Sequence, residues 1–213
     1  MDKAAFLARL PAGTPAGSPG GLVGSLPAYD LVALFSSRLV SVDGSVHGPV
    51  PPVAVADLVV GIATGSGADR YLGWDDPGAP AIHTSLGLAG VTRVEGWVPE
   101  TSDERFQHLR AYPDIGIGIT GADAGLAESG SVILRSGPGR PRLAAVIPPV
   151  HVAVLAVSRI VRSLAQYLQM HPAALAGTSN LTIVTGPSRT GDIEQELNLG
   201  VHGPGQIHVI LVA

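Results

Sequence analysis

Cysteine does not occur among the 213 residues of the chain. Its absence removes disulfides, thiolate zinc sites, thiol nucleophiles and cysteine-ligated iron–sulfur clusters from the chemistry these residues can perform. Any redox step is left to a diffusible cofactor or a partner. Aromatic residues make up only 4%, so a core must be built from Ala, Val, Leu and Ile within the 46% that is apolar. Charge is thin as well, at 14% of residues with a formal net charge of −4, which gives no footprint for nucleic acid or an anionic membrane. No apolar run reaches the roughly 18–20 residues of a transmembrane helix. The first residues also lack the basic stretch and apolar core of a secretory signal. A soluble cytoplasmic protein is the expectation, long enough for one domain or at most two small ones.

Glycine and proline are plentiful and mark boundaries. Pro11–Gly21 (PAGTPAGSPGG) is a linker composition with nothing to bury, so residues 1–27 are read as an N-terminal arm and flexible linker, and 28–213 as a single domain. Within that domain, strand-like and helix-like segments alternate. Tyr29–Ser37 predicts a helix with Leu31, Leu34 and Phe35 inward, leading to a strand at Arg38–Val42. Pro52–Ala63 predicts a helix with Asp57 outward, and Tyr71–Trp74 a short strand. Pro80–Ala89 reads as helix, Val91–Val94 as strand, and Ser102–Arg110 as a short helix with an acidic start. Asp114–Thr120 (DIGIGIT) is a buried strand whose glycines invite close approach. Ala122–Ala127 reads as a turn or short helix, Ser131–Leu134 and Val152–Val157 as strands, and Ser158–Gln169 as a helix. Leu181–Val184 and Gln206–Val212 complete the sheet. The pattern predicts an α/β fold, a mostly parallel sheet with helices on both faces.

Two strands end alike. Ile119-Thr120-Gly121 and Val184-Thr185-Gly186 each pass from an apolar run into a polar loop, and in open parallel sheets ligands sit beyond the carboxyl ends of strands. The first loop holds Asp123 and Glu128 in small apolar surroundings, where a partly desolvated carboxylate would serve as base or nucleophile. The alternative is that either acid caps a turn or pairs with an arginine such as Arg135. The second loop offers Thr185, Gly186, Ser188, Arg189 and Thr190, with Asp192 opening a possible helix whose free amides would hold an anion. Arg189 could clamp a carboxylate or phosphate. Equally, Ser188 and Thr190 could be helix caps, and Arg189 could bond Glu194 or Glu196. His151, before a buried strand, and His202, in a tight turn, are each a general base or a histidine bonded to backbone. His202 and His208 lack metal-site spacing, so no metal is expected.

The residues Gly118–Asp123 with Ala127–Gly130, Ile147–His151, Thr185–Thr190 with Asp192–Glu194, and Leu199–Pro204 together resemble the LUD-domain family. The likeness runs from about Asp114 to Ala213, with Gly191 replacing an alanine and Ser129 a threonine. It implies the sheet shared by ribose-phosphate isomerases, glucosamine-phosphate isomerases and coenzyme A transferases. It further implies a role in oxidising L-lactate to pyruvate beside an iron–sulfur subunit and a second cysteine-rich subunit. This chain would then be the non-redox subunit, with no cofactor of its own and a small anionic ligand possible. Glu128 in Glu-Ser-Gly resembles the coenzyme A transferase pattern, in which a glutamate is the nucleophile, although the middle residue there is asparagine. Two other readings stand beside this one. The chain could be a free-standing enzyme of the isomerase, coenzyme A transferase or folate cyclo-ligase type, acting on a phosphorylated, acyl-CoA or folate-like substrate through Glu128. It could also be an interaction module alone.

Overall fold

A computed structural model describes residues 30–76, 78–95, 103–104, 107, 114–174, 176, 178–191, 197–199 and 203–213. The arm at 1–27 and most of the expected Ser102–Arg110 helix lie outside the described residues. Helix α1 (Leu31–Ser41) opens on Asp30, whose Oδ1 accepts from the amides of Val32 at 3.0 Å and Ala33 at 3.1 Å. Phe35 and Leu39, one helical turn apart, are both wholly buried. The expected strand at Arg38–Val42 is therefore incorrect: Leu39 repeats the buried face of Phe35, and the helix continues until Gly44 N–H bonds the Leu39 carbonyl at 2.9 Å. Strand β1 (Ser45–Val50) follows. A 3-10 turn at Pro52–Ala54 leads into α2 (Val55–Gly65), with Asp57 exposed as expected. Next come β2 (Arg70–Gly73), α3 (Ala79–Leu88) and β3 (Thr92–Arg93).

The centre is built from β4 (Ile117–Gly121), β7 (Val150–Ala156) and β12 (Gln206–Val212). Six parallel strands run in the order β1-β12-β7-β4-β2-β3. Side chains alternate across this sheet, so near-continuous apolar strands require cover on both faces. One face packs Val209, Leu211, Ala153 and Leu155 under α1 and the turn at Arg142–Ala145. The other packs Ile210, Ile117, Ile119 and Val152 against α2 and α3. The α/β expectation, parallel with helices on both faces, is what the structure shows.

A second sheet departs from that expectation. It contains β5 (Ala124–Leu126), β6 (Ser131–Ser136), β8 (Ile160–Val161) and β9 (Asn180–Val184), in the order β8-β5-β6-β9. β6 is antiparallel to both neighbours. Half of Ala122–Ala127, at Ala124–Leu126, is thus strand, where a turn or short helix was expected, and Ser131–Leu134 and Leu181–Val184 belong here and not to the main sheet. The expected Ser158–Gln169 helix begins only at Leu164, in α4 (Leu164–Met170). The β-branched pair Ile160-Val161 joins β5 instead, and Ser163 caps the helix from the Gln166 amide. Arg189–Gly191 (β10) pairs antiparallel with Leu197–Leu199 (β11). No helix among the described residues is long and apolar enough to cross a membrane.

Candidate functional site

Beyond the carboxyl ends of β2, β4, β7 and β12 lies a cavity of about 320 Å³. Its floor and sides are apolar: Trp74, Ile82, Ile119, Val154 and Val212 all reach it. Thr120, Gly121, Asp76, His83, Arg140 and Arg159 bring its polar groups. The start of α3 also opens on it, through Gly78 and Ala79. That helix has no side-chain cap; its first amide, at Ala79, bonds the Asp76 carbonyl at 2.8 Å.

The charges are arranged in pairs with one remainder. Arg140 Nη2 lies 2.5 Å from Asp76 Oδ1, while its Nη1 donates to Asp123 Oδ1 at 3.2 Å. The guanidinium carbon sits 5.2 Å from the centre of the Trp74 ring, and the indole N–H is fixed by the Pro141 carbonyl at 2.9 Å. Gly121 matters here, because a Cβ at that position would collide with the Asp76 carboxylate. Arg159 differs: Nη1 donates to the Ala122 carbonyl at 3.2 Å, and among the described residues no carboxylate pairs with it. The walls therefore carry one carboxylate and two guanidiniums, with Asp76 answering Arg140 and nothing answering Arg159.

His83 occupies the first turns of α3, with Nδ1 3.0 Å from the Tyr71 hydroxyl. Burial, with the Arg93 charge second, lowers its pKa below 6.5 and favours the neutral ring. Its Nε2 is buried with no hydrogen-bond partner, since Asp75 Oδ1 at 3.9 Å is out of range and already bonds Arg93 at 2.6 Å.

Of the residues singled out from the sequence, Thr120 and Gly121 line this cavity. Thr120 is also bonded to His151, Oγ1 to Nε2 at 2.9 Å, and His151 has no exposed surface. Burial pushes the His151 pKa down to about 4, so at neutral pH the ring cannot hold an abstracted proton well enough to act as a strong base. Asp123 takes the arginine-paired arrangement: it accepts from Arg135 Nε at 3.1 Å, Arg135 Nη2 at 3.0 Å, the Arg135 amide at 2.8 Å, and Arg140. It ties the β4–β5 link to β6 and the loop after it, and is not a lone acid. Its hydrogen bond to Arg135, with their charge attraction behind it, raises the arginine's pKa.

Glu128 is half exposed rather than desolvated, bonds Arg162 Nε at 2.6 Å, and does not line the cavity. Its loop instead meets the second Thr-Gly loop. Ser129, Ser131 and Thr185 form a chain of hydroxyls at 2.7 and 2.6 Å. Thr185-Gly186 leaves the second, mixed sheet, so of the two Thr-Gly exits only the first stands at the end of a main-sheet strand. Gly186, with φ of 71°, packs against the Val42 carbonyl, where a Cβ would clash. The Ser188 amide bonds the Pro204 carbonyl at 2.8 Å. Arg189 and Thr190 are described in backbone only, in β10, while Asp192 and His202 lie outside the described residues. Among the described residues, no group of three or more metal-ligating side chains comes together.

The sequence reading missed Asp76, His83, Arg140 and Arg159. One signal was present: Trp74-Asp75-Asp76 places two acids directly after a strand and before the Gly78-Ala79-Pro80 helix start.

The architecture is that of a parallel α/β protein with an apolar-lined crevice at its strand ends. The LUD domain family model matches residues 64–212, and the chain belongs to that family. Among curated proteins, a "Lactate utilization protein C" of Halalkalibacterium halodurans is 35% identical over 152 residues, covering 68% of this chain and 63% of that protein. One of Exiguobacterium is 33% identical over 134 residues, 56% of this chain and 57% of its own. One of Shouchella clausii is 37% identical over 151 residues, 68% and 63% respectively. The chain thus spans less than two thirds of these relatives' length. A solved structure of a DUF162 family protein from Deinococcus radiodurans superposes with a TM-score of 0.58 at 23% identity, over 86% of this chain and 97% of that one. That likeness carries the fold.

Proposed function

We propose that this chain serves lactate utilisation as a non-redox subunit that holds an organic acid in the cavity at the strand ends. The observation behind the reading is Arg159, a guanidinium without a carboxylate partner on the wall of an otherwise charge-balanced, largely apolar cavity. The names of the curated relatives supply the pathway. The absence of cysteine fits a division of labour in which iron–sulfur clusters reside in partner subunits, including a cysteine-rich one, and electrons from L-lactate pass through them. Cytoplasmic residence is part of the same proposal. On this reading the chain binds and presents, and Glu128, already engaged by Arg162, is not its nucleophile.

The test is genetic. In a host with no redundant lactate-oxidising system, disrupting the gene should abolish growth on L-lactate while leaving growth on glucose intact. The wild-type gene should restore it, and one encoding Arg159→Glu should not. Normal growth of the disrupted strain on L-lactate would rule the assignment out.

A further inference from the structure

The ligand can be narrowed by counting protons, charge and space around the same cavity, and the inference rests on the cavity being the binding site. The Tyr71 side chain is buried, and its hydroxyl has one hydrogen-bond partner among the described residues, His83 Nδ1. A buried hydroxyl proton needs an acceptor. It finds one only if Nδ1 is unprotonated, which puts the ring's single proton on Nε2. The Asp75 carboxylate, 3.9 Å from Nε2, pulls toward the same tautomer, while Arg93, bonded to that carboxylate, pulls against it. Gly73 is what admits this pair: a Cβ would stand 3.0 Å from His83 Cε1 and 3.2 Å from Tyr71 Cε2. The result is a cavity-lining N–H that makes no well-formed hydrogen bond within the protein, although the Trp74 backbone and the Asp75 carboxylate lie near the ring.

Charge and size act together with that donor. Arg159, exposed at the cavity's edge and without a carboxylate partner among the described residues, suits a single negative charge, and a doubly charged phosphate ester would also face Asp76. About 320 Å³ lies at the lower end of the range that accepts whole drug-like ligands. Lactate and pyruvate, with six heavy atoms each, leave much of that space and the apolar side chains Ile82, Ile119, Val154 and Val212 uncovered. We propose that the cavity is a site for a singly charged carboxylic acid with a branched-chain or aryl body larger than lactate, its charge answered by Arg159 and one of its oxygens accepting from His83 Nε2. Tyr71 is a positioning residue that fixes which nitrogen of His83 donates.

Calorimetric titration of the whole chain with phenylpyruvate, 4-methyl-2-oxopentanoate, pyruvate, L-lactate and inorganic phosphate tests the ligand class. The two larger acids should bind at least tenfold more tightly than pyruvate or lactate, because burying even two further carbon groups is worth that factor. Phosphate should not compete. Arg159→Gln and His83→Gln should each weaken phenylpyruvate binding tenfold or more, and Tyr71→Phe severalfold, with melting temperature recorded for each variant. Nitrogen-15 NMR of the free wild type should show the His83 proton on Nε2. A proton on Nδ1, or no saturable binding of the larger acids, overturns the inference. Lactate binding as tightly as phenylpyruvate also overturns it, but leaves the lactate-utilisation reading standing. Loss of the growth phenotype, with phenylpyruvate still bound through Arg159, does the reverse.

Discussion

His47, His151 and His208 share one physical condition: burial lowers the pKa of each below 6.5, and for His208 the neighbouring His47 adds to it. His47 Nε2 and His208 Nδ1 stand 3.0 Å apart on adjacent parallel strands, so one nitrogen must donate and the other accept. Protonating both would set two donors against each other. A group whose pKa is depressed by folding binds its proton more readily in the unfolded chain. The stability it contributes is therefore complete above pH 6.5 and is lost as pH falls through the folded value. For His151 the gap from 6.5 down to about 4 corresponds to about 3 kcal/mol by pH 4. Thermal melts between pH 8 and pH 4 should show a level melting temperature down to about pH 7 and a steady fall below it. A His151→Asn variant should be less stable at pH 7 but fall less steeply, since it has lost the group that titrates. An equal slope in both proteins would show that His151 is not the source.

At the scale of elements, contact and conformation separate glycines that look alike in the sequence. Gly118 of β4 lies opposite His151 of β7, and a Cβ there would overlap the Ala144 carbonyl of the turn that covers this face. Backbone cannot move aside as a side-chain tip can, so Gly118→Ala should cost about 1–3 kcal/mol, the usual range for overpacking. Gly61, inside α2, has nothing within 4 Å of where its Cβ would be. Gly61→Ala should therefore stabilise by about 0.5–1 kcal/mol through helix propensity alone. Urea unfolding of the two variants checks both signs. The same contrast shows why glycines in DIGIGIT could be read as sites of close approach while the segment after them could not be read. β5 is only three residues long and pairs with strands from elsewhere in the chain, so it carries no periodicity of its own. Its neighbour β8 was absorbed into a helix because Ile160 and Val161 happen to fall at helical spacing from Leu164.

For the whole molecule, the central sheet was legible because β7 and β12 are largely buried and read as apolar runs interrupted only by His151 and by Gln206 and His208. The second sheet was not, because nothing local marks where one sheet ends and another begins. The cavity was hidden for a related reason: Asp76, Arg140 and Arg159 come from three distant segments that only the fold brings together. Dense loops drew attention to Glu128 and Arg189 instead. The structure assigns Glu128 to an ion pair with Arg162 and gathers Thr120 and Gly121 to the strand-end cavity. Amide NMR during titration with phenylpyruvate locates the site directly. Shifts are expected at Gly78–His83 and at Gly121-Ala122, with the Glu128–Ser131 loop unmoved. Shifts centred on Ser129, Ser131 and Thr185, or on Arg189 and His202, would contradict that location.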